Sequence, residues 1–192
     1  MTYTRISIPK TSEVTTQKRD RVYIYDVQDI LSDVTRTLGD TEPGGDLVLH
    51  PGCKGISIQA TRTSISRGYE QSGDADARIF ADRVEFDYPG DTVALNNFIE
   101  AFANKGVVII LDSCDGTTKI YGRACNPLAM QAEPTDSREE RRSHLVFAQE
   151  IGDRYVPRIY SGIIPPVAND DGSRRFWLKT ATWDEAEEWT SE

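Results

Sequence analysis

The segment Asp112-Ser113-Cys114-Asp115-Gly116 gathers more reactive residue types than any other stretch of this chain. A cysteine nucleophile works as its thiolate and needs a base and an electropositive setting. Here two carboxylates, Asp112 and Asp115, flank Cys114 and hold the proton on, and the chain has only two histidines, His50 and His144, to serve as base. Asp-Gly between two strand-like runs is a hairpin signal. The apolar run of residues 107–111 and the return at residues 117–124 therefore predict a turn at Asp115-Gly116, with Cys114 as filler at its corner.

Other chemistry has weaker footing. Asp112, Ser113 and Asp115, like Asn169-Asp170-Asp171-Gly172, lack the spaced oxygen ligands and terminal glutamate of a calcium loop. Cys53, Cys114 and Cys125 are odd in number and widely spaced, so they predict neither a zinc site nor a disulfide framework. No glycine-rich phosphate loop opens a helix, and no Gly-x-Ser-x-Gly elbow occurs. Glu85 with Asp87, or Asp74 with Asp76, could pair as glycosidase carboxylates. The alternation around residues 83–88 sets Glu85 and Asp87 on an outward sheet face, the ordinary place for solvated acids. No catalytic, cofactor-binding or metal-binding residue is expected.

The totals narrow the class further. The 192 residues, 38% of them hydrophobic, suffice for one domain with a core. A formal charge of −9 argues against a dedicated nucleic-acid binder, because phosphate contacts need clustered Lys and Arg. No apolar run approaches the roughly 18 to 20 residues of a membrane helix, and the start, Met1-Thr2-Tyr3-Thr4-Arg5, lacks a secretory segment. A chain made and used in soluble form is expected, in a cytoplasm or in a particle assembled there.

Strand patterns must position whatever the chain does. Residues 21–30 (RVYIYDVQDI), 55–66 (GISIQATRTSIS), 79–88, 107–111, 117–124, 128–132, 144–151 and 154–164 read as strands, Pro157 marking the last as an edge. Residues 67–77 are polar and read as an exposed loop, and residues 133–143 read as a charged hairpin tip or loop. One helix is predicted at about residues 91–105. Asp91 or Thr92 caps it, Leu95, Phe98, Ile99 and Phe102 form its apolar stripe, and Gly106 stops it. The fold class is mainly β: an antiparallel β-sandwich or barrel with one flanking helix. A β-rich domain of residues 21–166 is expected between extended arms, residues 1–20 and 167–192.

The sequence of strands, then DTVALNNFIEAFANKG (91–106), VVIILDSCDGTTKIYGRACNPL (107–128) and HLVFAQEI (144–151), resembles tail tube and related tail proteins of bacterial viruses. The likeness spans roughly residues 80–151. It implies a non-enzymatic, homo-oligomeric virion protein, assembled in the host cytoplasm as hexameric rings that stack into a tube. It also implies DNA passing without specific binding, partnership with itself and neighbouring virion proteins, and no cofactor or membrane. Contact candidates on that reading are Tyr3, Ile6 and Ile8 of the first arm, Tyr69 of the 67–77 segment, Arg138, Arg141 and Arg142 of the charged segment, and Phe176, Trp177, Trp183 and Trp189 of the tail. A tail terminator, neck or head-tail adaptor protein is the alternative, and a carbohydrate- or protein-binding β-sandwich module is the alternative of another class.

Overall fold

A computed structural model describes residues 18–35, 44–61, 63–74, 76–90, 92–113, 116–136 and 141–168. Its strands are β1 (Lys18–Asp26), β2 (Ile30–Ser32), β3 (Val48–Leu49), β4 (Gly55–Gln59), β5 (Ser66–Ser72) and β6 (Ile79–Pro89). After helix α1 (Val93–Phe102) come β7 (Gly106–Ser113), β8 (Thr118–Tyr121), β9 (Leu128–Asp136), β10 (Arg141–Ala148), β11 (Arg158–Ile159) and β12 (Val167–Ala168). Ten of these strands form one sheet, ordered β12-β4-β1-β7-β9-β10-β6-β5, with β8 paired to β7 and β11 beyond it. The neighbours run antiparallel except β12, which lies parallel to β4. β2 and β3 make a separate ribbon. The fold is thus mainly β with a single helix among the described residues, as the residue pattern predicts.

β7 organises both cores. Side chains alternate across a strand, and Val107, Ile109 and Leu111 join a cluster with Val22, Phe86, Leu145 and the helix residues Leu95, Phe98 and Phe102. Val108 and Ile110 join Tyr25, Val34, Leu47, Ile120 and Tyr160 on the other face. The five residues 107–111 are at most 1% exposed. The first cluster draws on β4 and β1 near one end of the sheet order and on β6 near the other, so the sheet curls around it. Residues 60–65 join β4 to β5 across the remaining gap, and the Thr61 N–H donates to the Asp87 carbonyl of β6 at 2.9 Å.

The helix is built as its sequence predicts. The Thr92 hydroxyl caps it, accepting from the Leu95 N–H at 3.2 Å, and Phe98 stacks on Phe102. Just beyond it, Lys105 Nζ meets the buried Asp26 carboxylate at 2.5 Å, tying the helix end to β1. The same carboxylate accepts from the Gln28 N–H and sets a 3-10 turn at Val27–Asp29. This turn ends β1 at Asp26, four residues short of the strand expected over residues 21–30.

Other boundaries differ for identifiable reasons. Residues 67–77, expected as a loop, begin as strand: β5 pairs with β6 from Ser66 opposite Glu85 to Ser72 opposite Ile79. Its polarity is that of an edge, and Tyr69 rests edge-on against Phe80 at 5.3 Å. The single strand expected over residues 55–66 breaks at the 60–65 crossing. The hairpin expected around residues 133–143 is formed by β9 and β10, whose strands run through Asp136 and from Arg141 because polar partners such as His144 opposite Glu133 and Arg142 opposite Thr135 continue the pairing. Of the strand expected over residues 154–164, Arg158–Ile159 alone pairs, against β8. Pairing reaches Lys18 and Ala168, slightly beyond the expected domain limits of 21 and 166.

Two predictions test this framework. Gly122 holds a φ of 76°, and an added Cβ would lie 3.1 Å from both Leu128 Cγ and the Val107 carbonyl. Gly122→Ala should therefore cost about 1–3 kcal/mol, read as a lower urea midpoint. Burial raises the phenols of Tyr25 and Tyr160 and pushes Tyr121 up to about 12, Arg67 pulling the last down and Asp82 pushing it up. A phenol raised on folding leaves stability intact below the unfolded value of about 10 and removes it as pH climbs through the folded value. Far-ultraviolet ellipticity should hold to about pH 10 and then fall, and Tyr121→Phe should soften the fall.

Candidate subunit interface

Register places many chain segments at one end of the curled sheet. There Lys18 lies opposite Ser113, Arg21 opposite Gln59, Pro89 opposite Arg142, and Asp136 opposite Arg141. The Arg67 guanidinium at the start of β5 donates to the Ser113 hydroxyl at the end of β7.

The hairpin that joins β7 to β8 turns here. The Ser113 N–H donates to the Thr117 carbonyl at 2.9 Å, the Gly116 N–H donates to the Ser113 carbonyl at 3.1 Å, and Gly116 has a φ of 84° that suits glycine. The Thr118 hydroxyl donates to the buried Asp112 carboxylate at 2.8 Å, so this acid is part of the turn. Cys114 and Asp115 lie outside the described residues.

A cleft of about 360 Å³ opens beside the turn, lined by Ser64, Asp87, Glu133, Thr135, Arg142 and His144. Asp87 is its centre and keeps only 13% of its side chain exposed. Arg142 Nη1 donates to one carboxylate oxygen at 2.9 Å, and His144 Nδ1 lies 2.7 Å from the other. An ionised carboxylate only accepts, so Nδ1 carries the proton. The Asp87 N–H donates to Ser64 Oγ at 2.8 Å, and that hydroxyl donates to the Thr61 carbonyl at 2.9 Å.

Serine, histidine and aspartate in one cleft invite comparison with a hydrolytic triad. The hydrogen bonds point elsewhere. The Ser64 proton goes to a backbone carbonyl, its lone pair takes the Asp87 amide, and Asp87 divides its charge between two partners. The cluster is an ion-paired brace between β6 and β10, with Glu133 across the sheet from His144. Glu85 is likewise engaged, by Arg83 at 3.1 Å, so Glu85 and Asp87 are each held by cations.

At the opposite end, a cleft of about 410 Å³ lies between the end of α1 and the chain after β10, with Lys105, Pro127 and Ile151 among its walls. The Asp26 carboxylate raises the Lys105 ammonium above its ordinary range. Of the other cysteines, Cys53 is held as thiol by the Asp29 carboxylate, which raises its pKa, and Cys125 is exposed. No group of three metal-ligating side chains occurs among the described residues.

Among the contact candidates, Tyr69 stands half exposed on β5 and Arg142 lines the Asp87 cleft. Arg141 begins β10 at the same end. Tyr3, Ile6, Ile8, Arg138, Phe176, Trp177, Trp183 and Trp189 lie outside the described residues. Asp87, His144 and Ser64 were not legible as a group. Alternation sets Asp87 outward, but only the β6 to β10 register brings His144 beside it.

Replacing Cys114 with serine should leave melting temperature and oligomeric state unchanged, read by calorimetry and mass photometry, because the turn rests on Gly116 and on backbone and Thr118 hydrogen bonds. No protein-family model, curated protein or solved structure matches this chain.

Proposed function

We propose that this chain is a non-enzymatic virion subunit that assembles head to tail into rings, and that these rings stack into the tail tube of a bacterial virus. The observation that carries the reading is the polarity of the molecule. The beginning of β1, the end of β7, the end of β9, the start of β10 and the Asp87 cluster share one end of the sheet. A subunit with distinct ends makes heterologous contacts, which close into a ring when the rotation per subunit closes. Arg142 suits such a contact, because its guanidinium keeps 44% exposure while Asp87 fixes its direction.

The charge balance supports the same role. Acidic side chains lining a channel repel a phosphate backbone and let DNA slide without binding, which a chain of net charge −9 can provide. The polar cleft contributes orientation and charge, and its serine, histidine and aspartate serve as a brace.

Purified protein examined by negative stain and mass photometry tests the reading. Rings or tubes are expected, and a monomer at every salt concentration would sink it. Arg142→Ala should weaken ring formation about tenfold, a loss of about 1.4 kcal/mol per contact. Its melting temperature should stay close to wild type, because the partly exposed pair with Asp87 contributes about 1 kcal/mol or less to folding.

A further inference from the structure

β5 is the last strand of the sheet, and its seven residues pair only with β6 among the described residues. A free edge of about 23 Å is a template for another strand. We propose that residues 3–8 of the same chain, Tyr-Thr-Arg-Ile-Ser-Ile, add to this edge as an antiparallel strand. The inference stands apart from the ring reading and concerns one copy.

Where the chain enters the sheet argues for this occupant. Lys18 lies opposite Ser113, and Ser113 accepts from the Arg67 guanidinium of β5, so the first described residue lies at the same end of the curled sheet as the start of β5. Residues 9–17 can reach at most about 30 Å, enough to pass from Ile8 to Lys18 around this end. β5 runs away from that end. An antiparallel segment brings Ile8 back to it, whereas a parallel one would leave Ile8 at the far end and ask the link to span the strand as well.

The segment fits in other ways. Tyr3 to Ile8 alternates over six residues, against seven in β5, and Pro9 ends the alternation where pairing must stop. Arg5 is mid-segment, and Glu70, mid-strand on β5, keeps 72% of its side chain exposed beside its 3.6 Å ion pair with Arg83. A tether of nine residues also gives the segment an effective concentration of order millimolar, which favours its own edge over that of a second copy.

Hydrogen exchange over Ser66–Ser72 tests the proposal, with Gly106–Ser113 as the internal control for folding. In the full chain, β5 amides should exchange at least about tenfold more slowly than in a chain lacking residues 1–9, and equally at all protein concentrations. Ile6→Pro should match the deletion, and Lys10→Pro should match the full chain. Fast exchange of β5 in the full chain overturns the proposal whatever the variants do. Protection that grows with protein concentration overturns it in favour of a second copy. Rings scored separately by mass photometry distinguish the readings: rings with an unprotected β5 sink this inference alone, and monomers with a protected β5 sink the ring alone.

Discussion

The structure depends on burying both faces of β7. Five consecutive residues, Val107 to Leu111, are removed from water, three against one core and two against the other. At about 1.5–3 kcal/mol for each buried aliphatic side chain, their gross contribution is of the order of 10 kcal/mol. That equals the whole net stability of a typical domain. A strand apolar on both faces cannot lie at a surface, so helix α1 and the curl of the sheet must cover one side and the Tyr25, Tyr160 and Ile120 cluster the other. The remaining strands are arranged around this demand.

The demand explains what could be read from the sequence. β7, α1, β6 and the turn after Ser113 were legible because burial wrote apolar periodicity or turn chemistry into them. β5, the ends of β9 and β10, and the limits of β1 were not, because polar pairing builds them. Ser66 to Ser72 has few apolar residues since one edge and one face meet solvent. Its strand form comes from β6, whose paired residues lie 7 to 19 positions away in sequence. The Asp87 brace has the same origin. Each member has an ordinary residue type, and only the register of β6 against β10 makes them a cluster.

Charge placement follows burial as well. Asp26 is 6% exposed and Asp112 is 8% exposed. Desolvation of such groups is offset only by close donors, and Lys105 supplies them to Asp26 while the Thr118 hydroxyl supplies one to Asp112. Both acids therefore hold elements together: Asp26 joins β1 to the end of the helix, and Asp112 locks the β7 to β8 turn. Asp87 differs because its partners are partly exposed. A carboxylate screened on its own side, bearing an arginine that still reaches solvent, stabilises little by itself, yet it presents a positive group in a fixed direction.

The curl sets the last constraint. Complete closure would satisfy every edge, as in a barrel. Here Thr61, between β4 and β5, donates to the Asp87 carbonyl of β6, so the two ends of the sheet approach, while β5 pairs on one side alone among the described residues. An open sheet edge invites indiscriminate strand addition unless something occupies or guards it. The polar composition of β5 and the charge on Glu70 discourage apolar strands, but they leave its backbone donors and acceptors available. A tethered segment of its own chain can satisfy them before a second molecule does.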